Sequence, residues 1–215
     1  LRRIEVRRAI VSIDAMGCQK EIARQLINNE ADFVFSLKGN HQRIHAAIKS
    51  YFEEHFADDF ARINVRKFEE QEESHGRQDH RTYYQFAVPK DLPGSGGWVG
   101  LRTIGVAIRM TMEKGVETFD VRYFLTSLRM GVQQLARVIR KHWAIESMHW
   151  SLDMTFREDE SRLRSRQAAD NLAWLRRFAL SLYKQHPGKQ SLVMKRRLCG
   201  WSPDFLTEVL VGQGG

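Results

Sequence analysis

Two carboxylates stand out by where they fall in the sequence. Asp14 ends a short β-branched run, Ala9-Ile-Val-Ser-Ile13, and Glu146 sits in a helical pattern from about Gln133 to Trp150. The apolar stripe of that helix reads Leu135, Val138, Ile139, His142, Ile145, Glu146 and His149, at i, i+3, i+4, i+7 spacing. A carboxylate on or beside a buried face needs a cation, a donor network or water. A divalent metal would serve. So would Arg140 or an ordinary polar boundary, and spacing alone favours these.

His142, Glu146 and His149 also invite comparison with helical zinc sites. The metallohydrolase pattern places two histidines four apart with the glutamate beside the first. Here they are seven apart with Glu146 between them, a poor match. Trp143 and Trp150 flank the stripe, where packing is the usual role. Cys18 follows Asp14 closely, but no histidine lies near enough in sequence to activate it, so a buried free thiol is the expectation.

The elements that must position these groups follow from periodicity. Ala9 to Ile13 and Phe33-Val-Phe-Ser-Leu37 read as strands, and between them Ile22, Ala23, Leu26 and Ile27 fall at helical spacing over Gln19 to Asn29. That is one βαβ unit with two parallel strands. Asp14 and Lys38 then stand at the carboxyl ends of the strands, where open α/β sheets place their sites. A second helix carries Ile44, Ile48, Tyr51 and Phe52. Residues 63–68, 81–86, 99–110 and 118–125 read as an antiparallel meander, separated by turn-rich pieces such as Pro93-Gly-Ser-Gly-Gly97 and Glu113-Lys-Gly115. Helices return after Gly131 and run to about Gln185, where Pro187-Gly188 closes them. The expected fold is α/β, with a sheet segment over 1–60, a β-rich insertion over 61–130 and a helical segment over 131–215.

Composition narrows the class. The chain has 215 residues, 42% hydrophobic and 28% charged, so it is neither disordered nor fibrous. No run of eighteen apolar residues spans a bilayer. Two cysteines make no disulfide framework, and a reduced, cytoplasmic protein is the default. The net charge is +8, and residues 135–200 hold 14 basic and 6 acidic groups, which accounts for all of it. Clustered positive charge is the footprint of a polyanion binder.

The run His142-Trp-Ala-Ile-Glu-Ser-Met-His-Trp150, continuing Ser-Leu-Asp-Met-Thr-Phe-Arg-Glu-Asp159, resembles the signature HWxIENxxHWxLDVxFxED of the H-repeat-associated (ISAs-type) insertion-sequence transposases. Further matches come in the same order: residues 11–19, 31–40, His75-Gly-Arg77 and Asn171-Leu-Ala-Trp-Leu-Arg-Arg177. They span essentially the whole chain. The resemblance implies a DDE-type, RNase H-like catalytic core that cuts DNA and joins the freed 3′-hydroxyl to a target. It implies three carboxylates and two Mg²⁺ ions (Mn²⁺ can substitute), because attacking and leaving oxygens both carry charge that two cations stabilise. Magnesium prefers oxygen ligands. By motif, Asp14 is the second acid and Glu146 the third.

Departures from the pattern carry expectations of their own. The first aspartate of such families lies in an Asp-Gly-Lys context that these 215 residues lack, and the sequence begins at Leu1. A C-terminal part of a longer chain, inactive as given, is the expectation. Ser147 stands where the family has Asn, and Ile139, His142 and Asp153 occupy the tyrosine, arginine and lysine positions of the wider superfamily's signature. For DNA contact the candidates are Arg140, Lys141, His142, Trp143, Arg157 and Arg164, set against local ion pairing of the arginines with Glu158, Asp159 and Glu160. Trp143, Trp150 and Trp174 interleave with the cations, as stacking on unpaired bases would require. The family further implies a homodimer on paired transposon ends. Two other functions fit the same residues: a DNA-binding remnant without chemistry, or a metal-dependent nuclease with Asp153 or Asp159 as an added acid.

Overall fold

The computed structural model describes residues 5–74 and 76–212; the side chains of Ser74 and Glu146 fall outside the described set. The chain divides into two compact units, residues 1–142 and 143–215. Among the described residues no helix is long and apolar enough to cross a membrane.

The first unit is built on one six-stranded mixed sheet. Strands β1 (Ile10–Ile13) and β2 (Asp32–Leu37) are parallel and joined through helix α1 (Lys20–Asn28). Helix α2 (Gln42–Ala57) follows, then β3 (Val65–Ser74), β4 (Arg77–Ala87), β5 (Thr103–Glu113) and β6 (Val116–Thr126), an antiparallel meander. The strand order is β1-β2-β6-β5-β4-β3. The meander is therefore a continuation of the βαβ sheet, hydrogen-bonded to it through β6 against β2, with Phe35 opposite Leu125.

Alternation sorts the strand residues onto two faces. One face carries Phe33, Phe35, Leu37, Tyr84, Phe86, Ile104, Val106, Tyr123 and Leu125. Onto it pack Ala23 and Leu26 of α1 and Ile44, Ile48 and Phe52 of α2, the last three at i, i+4, i+8. The other face receives the start of helix α3 (Val132–Phe156), and Gly105 leaves room for it. A Cβ at Gly105 would lie 2.7 Å from Leu135 Cδ2, so the helix seats where the sheet has no side chain. The turn into α3 is fixed by Gln85, which is fully buried. Its Nε2 donates to Thr103 Oγ1 (2.8 Å) and Arg129 O (3.1 Å), and the Gly131 N–H donates to its Oε1 (2.8 Å).

The second unit holds the end of α3 and helices α4 (Arg166–Gln185), α5 (Leu192–Trp201) and α6 (Pro203–Val211). The last two extend the helical segment beyond Pro187-Gly188. The Ser191 and Ser202 side chains accept from the Met194 and Phe205 N–H groups, and Pro203 starts α6. Two cations of α5 satisfy carbonyls of other helices. Buried Lys195 Nζ donates to Tyr183 O (2.9 Å) and His186 O (2.7 Å), and Arg196 donates to Thr155 O (2.7 Å).

Candidate functional site

Asp14 stands where β1 ends, at the carboxyl edge of the parallel pair. Its carboxylate is exposed, and Oδ1 accepts the Met16 N–H at 2.9 Å, capping a tight turn over Ala15–Gly17. The neighbouring edge is tied to this turn. Asn40, just after β2 and Lys38, donates its Nδ2 to Ala15 O at 2.6 Å, and the His41 ring contacts Cys18 O. The carboxylate thus stands on a turn fixed from the β2 end, with only Oδ1 in a described hydrogen bond. It offers a hard oxygen donor to a cation.

Helix α3 reaches the same strand. His142 Nδ1 lies 3.2 Å from Ser12 Oγ, two residues before Asp14, and its Nε2 is buried without a hydrogen-bond partner among the described residues. Glu146, four residues on, has helical backbone, and its side chain lies outside the described residues. The expected buried stripe ends early. Leu135 and Ile139 are fully buried, Val138 and His142 half-buried, but Ile145 is 49% exposed and His149 is exposed. The helix is buried again at Leu152 and Thr155, within the second unit. No group of three His, Cys, Asp or Glu side chains able to hold a metal occurs among the described residues.

The cations expected on DNA are not equivalent. Arg140 is committed: Nε is 3.3 Å from Glu70 and Nη2 is 2.8 Å from Glu72, whose carboxyl Arg140 holds below its usual range. Lys141 is exposed and enters no ion pair with the described residues; Trp143 is half-buried. Arg157 adopts φ +51° at the end of α3 and meets Glu160 at 3.7 Å, an exposed pair that contributes little. Arg164 is exposed. His75 lies outside the described residues; Gly76 (φ +76°) turns the chain between β3 and β4, and Arg77 opens β4.

Spacing did not reveal the polar cluster on β4 and β5. Asp79 accepts from Arg81 (2.8 Å), Arg109 (2.8 Å) and Thr111 (2.5 Å), with Arg77 at 3.3 Å. Burial works against its charge, but the bonds from Arg109 and Thr111 outweigh it and hold the carboxyl far below the usual range. The period-two pattern Arg77, Asp79, Arg81 was the available signal; Arg109 and Thr111 required the register. Cys18 is buried and its thiol is pushed up to about 12 by burial, so Cys18 does not supply a thiolate nucleophile at neutral pH.

Residues 1–182 match the family model of the transposase DDE domain. Among curated relatives, the chain is 33% identical to "Putative transposase YncI" of Escherichia coli O157:H7, over 98% of this chain and 55% of that protein. It is 30% identical to "H repeat-associated putative transposase YhhI" of Escherichia coli strain K12, over 100% of this chain and 58% of that one. The chain spans a little over half the length of the curated relatives it matches.

Proposed function

Because the chain belongs to the transposase DDE domain family, we propose that it supplies two acids and much of the DNA-binding surface of a transposase catalytic core. The observation that carries this reading is the exposed Asp14 carboxylate, pinned at the end of β1 by the Met16 N–H and by the Asn40 to Ala15 bond. In this reading residues 1–60 belong to an RNase H-like sheet, 61–130 to the β-rich segment, and 131–215 to the helical part that brings Glu146 and the basic groups.

Asp14 and Glu146 would hold Mg²⁺, or Mn²⁺ in its place. When bound, two such ions stabilise the charge on the attacking and leaving oxygens of a phosphodiester. The chain's own contribution is to fix the acids, Asp14 by its capped turn and Glu146 by its place on α3 four residues after His142. Lys141, Arg157 and Arg164 are the groups we assign to DNA; His142, with one ring nitrogen against Ser12 and the other buried, is not among them, and two copies acting on paired ends are the family expectation.

Two acids make an incomplete site. The 215 residues by themselves should bind DNA without cutting it, which coincides with the reading of a DNA-binding module. Titration with Mn²⁺, followed by its electron spin resonance signal, tests the metal assignment. Asp14→Asn and Glu146→Gln should each weaken binding at least about tenfold, the order that even outer-shell changes produce, with DNA affinity kept or raised. Unchanged Mn²⁺ binding in both variants would remove the metal site. A metal-dependent nick made by the 215 residues alone would overturn the expectation of no cutting and favour a self-sufficient nuclease.

A further inference from the structure

The first turns of α3 and strand β3 enclose a groove of about 540 Å³ on the sheet face opposite α1 and α2. It is lined by Phe68, Glu70, Gln133, Ala136 and the three cations Arg137, Arg140 and Lys141. All of these lie within the first unit.

The three cations divide by what already holds them. Arg140 spans Glu70 and Glu72. Those two carboxylates are further satisfied by the Tyr83 hydroxyl, which donates to Glu70 at 2.8 Å, and by Arg81, which donates to Glu72 at 2.9 Å. Arg137 and Lys141 are exposed and enter no ion pair with the described residues. They stand four apart on α3 and so share one helix face. The groove therefore keeps two uncommitted cations, with the carboxylate at its wall already neutralised. Its floor is apolar, formed by half-buried Phe68 and buried Ala136, and Gln133 adds an amide donor at the rim.

Two cations spaced along a groove, an amide donor and an apolar floor match a sugar-phosphate backbone: charge for phosphate oxygens, the phenyl ring for a deoxyribose face. We propose that this groove is a DNA-backbone subsite, with Arg137 and Lys141 as its phosphate ligands and Arg140 as the strut that discharges its wall. The proposal rests on the reading that the protein binds DNA, and it adds Arg137 while moving Arg140 from contact to support.

The test is the salt dependence of binding to a fluorescein-labelled random-sequence duplex. Each phosphate contact contributes about 0.9 to the slope of log affinity against log salt. Arg137→Ala with Lys141→Ala should lower the slope by about 1.8, so the variant loses about twelvefold less affinity than the parent between about 50 and about 200 mM salt. Arg24→Ala with Lys49→Ala removes equal charge from exposed positions on α1 and α2 and should leave the slope unchanged. Circular dichroism melts of both double variants check that each is folded. Equal slopes for parent and groove variant would overturn the subsite while leaving DNA binding intact. Equal loss from both double variants would mean diffuse attraction and also overturn it. A parent chain that does not bind the duplex would instead overturn the underlying DNA reading.

Discussion

In residues 5–142 the large apolar side chains close on one another, with Phe33, Phe35, Leu37, Ile104 and Leu125 each at most 2% exposed. In residues 143–212 Trp150, Trp174, Phe178 and Trp201 are between 48% and 68% exposed, and Trp174 and Phe178 stack on each other, 5.4 Å apart. The sheet gives the first unit two broad faces to cover. One long helix, two short ones and the end of α3 give the second a thin core, and Lys195 and Arg196 join its helices through their carbonyls. Burial holds one unit; polar capping carries much of the other.

The sharpest way to break this comparison is Phe35→Ala. Emptying a fully buried phenyl site costs about 4 kcal/mol, which urea unfolding should read as an earlier transition. Each unit has a thiol reporter: Cys18 is buried in the first and Cys199 half-buried in the second. The variant should expose Cys18 to alkylation at lower urea than the parent, with Cys199 labelling unmoved. Both thiols moving together would show that the units unfold as one.

A smaller effect is expected at Asp79, the buried charge of the first unit. Asp79→Ala leaves Arg81 and Arg109 without their shared partner and should cost about 3 kcal/mol. Because the folded carboxyl is held below its unfolded value, its contribution is present above about pH 4 and fades as the pH falls further. Acid titration of stability should therefore be flatter in the variant. A parallel fall in both would assign the acid sensitivity elsewhere.

The smallest change belongs to the exposed rings. Trp174→Ser with Phe178→Ser should shift stability by no more than about 0.5 kcal/mol, as surface substitutions usually do. A melt lowered by several degrees would mean those rings are covered in solution.

Much of the first unit was readable from residue pattern, because α1 and α2 each bury one consistent face and β2 is a continuous apolar run buried on both sides. Asp14 was readable for the same reason: a β-branched run that stops at an acid marks a strand end. The acidic run Glu69 to Glu73 was harder. The expected strand stops at residue 68, but the run lies within β3, because Arg81 and Arg140 from other elements balance Glu72 and because Glu70 meets Tyr83 and Arg140. Such pairing depends on register and helix placement, which no local pattern contains. Helices α5 and α6 escaped because Pro187-Gly188 reads as an ending, while the restart rests on single serines at Ser191 and Ser202. On α3 the stripe was legible through His142, but Ile145 and His149 are exposed: spacing shows which residues share a face, not which of them are covered.

The seat of α3 on Gly105 carries an evolutionary consequence. Positions 105 and 135 share one volume, since a methyl group at the first would stand inside van der Waals distance of Leu135. A larger residue at 105 must displace the Leu135 side chain, and a smaller one at 135 leaves a gap beside Gly105. Across related chains these two positions should therefore vary as a pair, a larger residue at 105 accompanied by a smaller one at 135, although neither touches DNA or metal in the reading given above.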